Sequence, residues 1–351
     1  MLATSGRLLQ DRASMRLVEI PFIVEPNYEG WRLDRYLQQK LGRASRTRVQ
    51  RLIRESLVQN GDRRLKASTP VSAGMRIVLV REETPEPSGL PDELQVLHDE
   101  DGLLVIDKPA GLPVHPTARY FQGTVTTILG REHRDDNGRR PDPAHRIDRE
   151  TSGTLACGRS PEMTRALKNL FATCRRSQSK GAGPDISKEY LAIVEGSPPW
   201  REHRLDLPLA LTGEHSVRVR VSVVPPEHPG AREAVTNLEV LARYENDEGA
   251  PFSLIRCVLE TGRQHQIRAH LHHAGFPIVG DKIYGPDENI FIRFTKGEMT
   301  NEDSRLLRLD RQALHAWRLS IPHPGGADLI EVEAPLPFDL RSFLDSMKQE
   351  E

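Results

Sequence analysis

The sequence predicts an α+β protein: a mixed, largely antiparallel sheet flanked by helices and loops, with a small α/β module ahead of it. Stretches with strand character outnumber helical ones and are not regularly interleaved with them, which argues against a doubly wound sheet. The 351 residues suffice for one large domain and one small one. Charge changes abruptly along the chain. Eleven Lys or Arg stand against three acids between Trp31 and Lys66, whereas Glu82 to Asp101 carries eight acids and no Lys or Arg. The net charge of −1 thus conceals a basic module followed by an acidic connector.

Residues 1–20 lack a clear period and read as a flexible tail. Residues 21–81 read as the small module. In "GWRLDRYLQQKLG", Leu33, Tyr36, Leu37 and Leu41 fall at helical spacing, with Gly42 as the stop. A second helix follows, with Ser45 as its N-cap and Val49, Leu52 and Ile53 as its buried stripe. Arg48, Arg51 and Arg54 recur every three residues along its other side. Short strands come next, with "NGD" as a hairpin turn. Cations along one helix face serve either as a solvated surface or as phosphate contacts, each of which releases counterions and adds affinity.

The acidic, proline-rich stretch 82–94 reads as a linker, and 95–347 as the large domain. That domain opens with a hairpin, two apolar runs around "DEDG". Further strands are expected at 189–196, 216–224 and 253–260, the second on the strict alternation of "SVRVRVSVV". Helices are expected at "PEMTRALKNLFATC" and "RQHQIRAHLHHAG", the latter stopped by Gly275. The segments 133–143, with Arg134, Arg139 and Arg140, and 174–187 read as loops.

No apolar run approaches the roughly 18 residues of a membrane helix. Arg7, Asp11, Arg12 and Arg16 interrupt any apolar core of a secretory signal, so a cytoplasmic location is expected. Cys157, Cys174 and Cys257 are odd in number and lack the close spacings of zinc or disulfide sites, hence reduced thiols. The crowded His265, His270, His272 and His273 raise a metal-dependent hydrolase as a rival. The i, i+4 pair with an adjacent Glu is absent, however, and no phosphate-binding glycine fingerprint occurs. Neither metal nor cofactor is expected.

The stretch "HRIDRETSG", 145–153, concentrates the chemistry. Asp148 before a Thr-Ser-Gly turn suits an N-cap or Asx turn. The adjacent Arg146 and Arg149 suit an ionised carboxylate able to act as nucleophile or base. Likewise Tyr190 suits either an apolar core or a cleft, and Arg263 either a strand-end surface charge or a site cation.

Residues 32–77 resemble an S-four-type (alpha-L) RNA-binding domain. "HRIDRETSG", "KEYLAIVEG" (188–196) and "LETGRQHQIRAHLHHAGFPIVGDKIYG" (259–285), in that order, resemble the three motifs of RluA-type pseudouridine synthases, which convert uridine in structured RNA to its carbon-linked isomer. "LLVIDKPAGLPVHP" and "RQALHAWRLSIPHP" resemble the flanks. The resemblance implies the pseudouridine synthase fold, with Asp148 as nucleophile on ribose or base and Tyr190 stacked on the uracil. It further implies Arg263 paired to Asp148 and Arg146 filling the gap left by the flipped uridine. Arg268, with His272 on the same helix face, is read as a contact to RNA phosphate, alongside Arg48, Arg51 and Arg54.

A monomeric RNA pseudouridine synthase acting on large-subunit ribosomal RNA, with transfer RNA as another substrate class, is therefore expected. Its rival is a non-catalytic RNA-binding or ribosome-assembly factor of the same fold, which would not need Asp148, Tyr190 and Arg263 together.

Overall fold

A computed structural model describes residues 17–41, 45–55, 57–61, 63–82, 91–117, 120, 122–177, 186–213, 215–322 and 329–350. The chain divides into two compact units, Met1–Pro85 and Glu86–Glu351. The division falls inside the stretch read as a linker, most of which, 83–90, lies outside the described residues.

In the first unit β1 (Leu17–Ile23) precedes α1 (Leu33–Lys40), α2 (Arg46–Glu55), β2 (Leu57–Asn60), β3 (Arg63–Arg64) and β4 (Arg76–Glu82). The four strands form one sheet in the order β1-β4-β2-β3. The periodic positions close the core: Leu33, Tyr36, Leu37, Val49 and Ile53 are buried, with Leu41 and Leu52 packed beside them. β2 and β3 pair antiparallel across Gly61, whose φ of +55° suits glycine. The structure corrects the tail reading at residues 17–20, which continue into β1. An edge strand carrying Pro21 has no full apolar period to betray it, because only one side must bond to β4. Residues 1–16 and Gly42 lie outside the described residues.

In the second unit the hairpin β5 (Gln95–Glu100) and β6 (Leu103–Lys108) turns at Asp101 and Gly102, both with positive φ. There follow α3 (Val125–Glu132), β7 (Asp142–Pro143), β8 (Ser152–Gly158), α4 (Pro161–Ser177), β9 (Ser187–Glu195), β10 (Glu202–Asp206), β11 (Leu209–Ala210) and β12 (Ser222–Val223). The chain continues through β13 (Val235–Glu245), β14 (Pro251–Leu259), α5 (Gln266–His273), α6 (Asn289–Lys296) and α7 (Asn301–Leu307). It ends with β15 (Leu314–Pro322), β16 (Leu329–Glu333), α8 (Phe338–Asp345) and β17 (Lys348–Gln349).

Eleven of these strands share one sheet, β10-β13-β14-β9-β15-β8-β6-β5, with β16, β17 and β7 at its sides. All of its described pairings are antiparallel except β8 with β15. The mixed, largely antiparallel sheet is as expected. β9 sits near the middle, between β14 and β15, and Ala192, Ile193 and Val194 anchor a core shared with Phe252, Ile255, Leu271, Leu314 and Leu340.

The expected strand 216–224 does not form beyond β12. Val217 and Val221 are buried against Ile283 and Tyr284, and the Tyr284 hydroxyl takes both the N–H and the carbonyl of Val221 at 3.0 Å. Those backbone groups are thus unavailable to a ladder, and alternation here reflects one-sided packing of a turn. The helix expected from Arg263 starts at Gln266. Most of the loop 174–187 lies outside the described residues, as 178–185, while α4 extends to Ser177.

Candidate active site

Asp148 lies in the segment joining β7 to β8, and the chemistry of that segment depends on what pins it. Ile147 is buried beside Tyr190, so its neighbours Arg146 and Asp148 point to the cleft. His145 accepts from the Ala156 N–H at 3.0 Å, and burial, with Lys188 nearby, pulls its pKa down to about 3, which keeps it a neutral acceptor. On the other side, the fully buried Lys108 donates to the carbonyls of Pro109, Leu112 and Arg149 at 2.7, 2.9 and 3.0 Å. Three acceptors match the three donors of an ammonium, while burial pulls the group down to about 7. Gly153 ends the segment at φ +109°, where a Cβ would lie 2.1 Å from the Ala316 carbonyl oxygen. Only glycine lets β8 run this close beside β15.

Arg268 of α5 provides the charge. Its Nε and Nη2 donate to both oxygens of Asp281 at 2.6 and 2.8 Å, and its Nη1 donates to Asp148 Oδ2 at 2.8 Å. Asp281 is wholly buried and also accepts the N–H groups of Ile283 and Tyr284. Burial alone would raise the Asp148 pKa. The Arg268 charge, the nearby His265 and the Arg268 hydrogen bond outweigh it and hold the carboxyl below the usual carboxylate range. Tyr190, paired in register with Cys257 and Ala316, is buried, and burial with the Asp148 charge pushes its hydroxyl well above the usual range. Asp148, Tyr190, Arg146, Arg263, His265 and Arg268 line one cleft. Two larger clefts open beside it, and Arg146 and Asp148 line all three. An ionised carboxylate, an aromatic face and a rim guanidinium converge there, an arrangement able to attack and hold a planar base.

The family model described as RNA pseudouridylate synthase matches residues 102–273, which include Asp148, Tyr190, Arg263 and Arg268. A ribosomal large subunit pseudouridine synthase D of Nitrosomonas europaea is 32% identical over 334 residues, 94% of this chain and 88% of the relative. The chain belongs to the RNA pseudouridine synthase family. An uncharacterized RNA pseudouridine synthase of Chloroflexus aurantiacus is 34% identical over 99% of this chain and 98% of its own. In solved structures the fold is shared with Human RNA Pseudouridylate Synthase Domain Containing 1, at TM-score 0.57 and 22% identity over 76% of this chain and 92% of that one. The protein is thus an RNA uridine isomerase.

The synthase departs from the expected pairing. Arg263 does not hold Asp148. Its Nε donates to the Glu233 carbonyl at 2.8 Å, and Arg268, five residues on, is the carboxylate's partner. The cause is the left-handed turn at His265, which ends the loop and starts α5 so that Arg268 faces the 144–151 segment. Arg268 is correspondingly corrected as a phosphate contact: it is 5% exposed and engaged by two carboxylates. Its neighbours Ile267, Ala269 and Leu271 are buried too, and an arginine between buried apolar positions, followed by Asp281 in the apolar run "FPIVGDKIYG", signals a buried ion pair. His272 instead meets Arg220, at 3.0 Å.

Arg146 is exposed at the rim, with no hydrogen-bond or ion-pair partner among the described residues. Arg149, which had no expected role, donates to the Tyr120 hydroxyl at 2.8 Å and pairs with Glu150, itself bound to Lys282. Arg51 and Arg54 are exposed on α2, whereas the Arg48 side chain lies outside the described residues. Cys157 and Cys257 are buried free thiols whose pKa burial drives well above the usual value. No helix among the described residues is long and apolar enough to cross a membrane.

Proposed function

We propose that this synthase converts specific uridines of large-subunit ribosomal RNA to pseudouridine, with Asp148 as nucleophile acting on a uridine flipped out of the RNA. The observation that carries the reading is the Asp148 carboxylate, held ionised by the buried Arg268–Asp281 pair at the floor of a cleft walled by Tyr190. The relatives named for the ribosomal large subunit support the substrate class.

The reaction breaks the bond from C1′ to N1, turns the uracil and forms a bond from C1′ to C5. The C5 proton leaves and N1 regains one, so composition is unchanged. Flipping the nucleotide costs a few kcal/mol. The Tyr190 face offers stacking to the extruded base, and Arg146, free at the rim, can fill the vacated stack. The exposed Arg51 and Arg54 offer phosphate contacts in the first unit.

Chemical mapping of pseudouridine in ribosomal and transfer RNA tests the reading in three strains: intact, lacking the protein, and carrying Asp148→Ala. The same ribosomal uridines should lose modification in both altered strains. Loss confined to the deletion strain would refute Asp148 as nucleophile, and loss confined to transfer RNA would refute the ribosomal assignment.

A further inference from the structure

His265 occupies a place the mechanism above leaves unused. Its backbone is left-handed, at φ +56° and ψ +19°, a conformation that favours glycine and costs a side-chain-bearing residue about 1 kcal/mol or more. It precedes α5 at the N-cap position, yet its side chain makes no capping hydrogen bond. A strained histidine without a capping role, lining both the Asp148 cleft and the larger cleft beside it, points to a task in the site.

The hydrogen-bond network sets which nitrogen carries the proton. The Tyr284 hydroxyl accepts from the Val221 N–H and donates to the Val221 carbonyl, both at 3.0 Å, and His265 Nδ1 stands 3.2 Å from the same oxygen. If the hydroxyl proton went to His265, the buried Val221 carbonyl would lose this partner. The arrangement that satisfies all groups has Nδ1–H donating to Tyr284 and Nε2 unprotonated. That Nε2 lies 3.9 Å from Asp148 Oδ2 and has no hydrogen-bond partner among the described residues. Burial and the Arg268 charge pull the ring down to about 4, against the opposing pull of Asp148 and Asp281, so it is neutral at physiological pH.

A neutral nitrogen lone pair beside the nucleophile can only accept. An internal uridine has two hydrogen-bond donors, N3–H and the 2′-hydroxyl, because its 3′ and 5′ oxygens are esterified. N3–H lies across the ring from the glycosidic bond. The 2′-hydroxyl sits on the carbon next to C1′, adjacent to either position that Asp148 could attack. We propose that His265 is a substrate-recognising residue whose Nε2 accepts the 2′-hydroxyl of the target uridine, so that the site requires ribose at that nucleotide. This rests on the reading that Asp148 is the nucleophile.

The test uses the full-length enzyme and a synthetic stem-loop around a mapped target uridine, made with ribose or 2′-deoxyribose at that nucleotide alone. His265→Asn keeps a residue that tolerates the left-handed backbone but shortens the reach. His265→Gln places an amide oxygen near the Nε2 position. The wild type should lose about tenfold in kcat/KM on the deoxy substrate, as expected for one hydrogen bond. His265→Asn should lose about tenfold on the ribose substrate and treat the two alike, and His265→Gln should regain part of the preference. A wild type without ribose preference, or a His265→Asn enzyme that keeps the full preference, would overturn the proposal. Asp148→Asn, assayed on the ribose stem-loop, separates the two readings: activity there refutes the nucleophile, whatever the ribose ratio of the His265 variants.

Discussion

Replacing Arg268 by methionine separates the charge that holds Asp148 from the packing of α5. The guanidinium makes three charge-assisted hydrogen bonds, at 2.6, 2.8 and 2.8 Å, with 6% of its side chain exposed. Methionine fills much of the volume but leaves Asp281, fully enclosed, and Asp148, 22% exposed, without their counter-charge. Removing one partner of a buried pair costs about 3–5 kcal/mol, which lowers the melting midpoint of a unit this large by roughly 10 °C. The Asp148 pKa should also climb, since an adjacent arginine depresses an aspartate by about 1–3 units and burial would then lose its main opponent. The wild-type carboxyl is depressed in the folded state. Its stabilising contribution is present above the unfolded value, near 3.9, and is lost as pH falls through the lower folded value. Arg268→Met should lift the folded value toward or above the unfolded one, so the loss of stability on acidification should shrink or reverse. Tritium release from RNA carrying C5-tritiated uridine, followed from about pH 4 to 8, should place the acid limb of kcat/KM higher in the variant. Arg263→Met should leave that limb where the wild type has it, because Arg263 donates to a backbone carbonyl. An Arg268→Met enzyme with an unmoved limb and midpoint, or an Arg263→Met enzyme that reproduces the shift, would refute the argument.

Three further perturbations probe the scaffold. Gly153→Ala would press a Cβ against the Ala316 carbonyl at φ +109°, costing upward of about 3 kcal/mol; it should yield little folded protein by circular dichroism, and a normal melt would be inconsistent with the β8–β15 approach. Lys108→Met strips a donor from three carbonyls and should destabilise by about 2–5 kcal/mol, with kcat falling as the Asp148 segment loosens; a melt within a degree of wild type would mean those carbonyls find other donors. Arg51→Glu with Arg54→Glu should weaken RNA binding and reduce the salt slope of log K by about 2. An unchanged slope would mean α2 does not contact phosphate.

Periodicity made the helices of the first unit legible, because each has one apolar stripe and one solvated face: Leu33, Tyr36 and Leu37 on α1, Val49 and Ile53 on α2. Strand β9 and the β5–β6 hairpin were legible for the complementary reason, an apolar run bounded by turn residues. β13 is not legible from alternation, although Thr236, Leu238 and Val240 face inward, because a bulge after Val240 breaks the period halfway. The 216–224 stretch failed in the opposite direction, since burial against Tyr284 imposes the same alternation as a sheet. At the site, Asp148 and Tyr190 were marked by their motifs, and the fold brings them together from β9 and the segment before β8.

What the sequence determined by itself is therefore the class of fold and the order of its motifs, among which Asp148 stands as the candidate acid. Those are properties of local pattern, carried by residues near one another in the chain. Which arginine serves that acid was decided only by the tertiary structure. Arg263 and Arg268 are five residues apart, and the choice turns on one left-handed residue, His265, that points α5 toward Asp148. It turns equally on Asp281, thirteen residues beyond Arg268, which fixes the guanidinium from behind. Electrostatic partnership depends on distance in space and on the cost of burying a charge, neither of which is written in the spacing of residues along the chain.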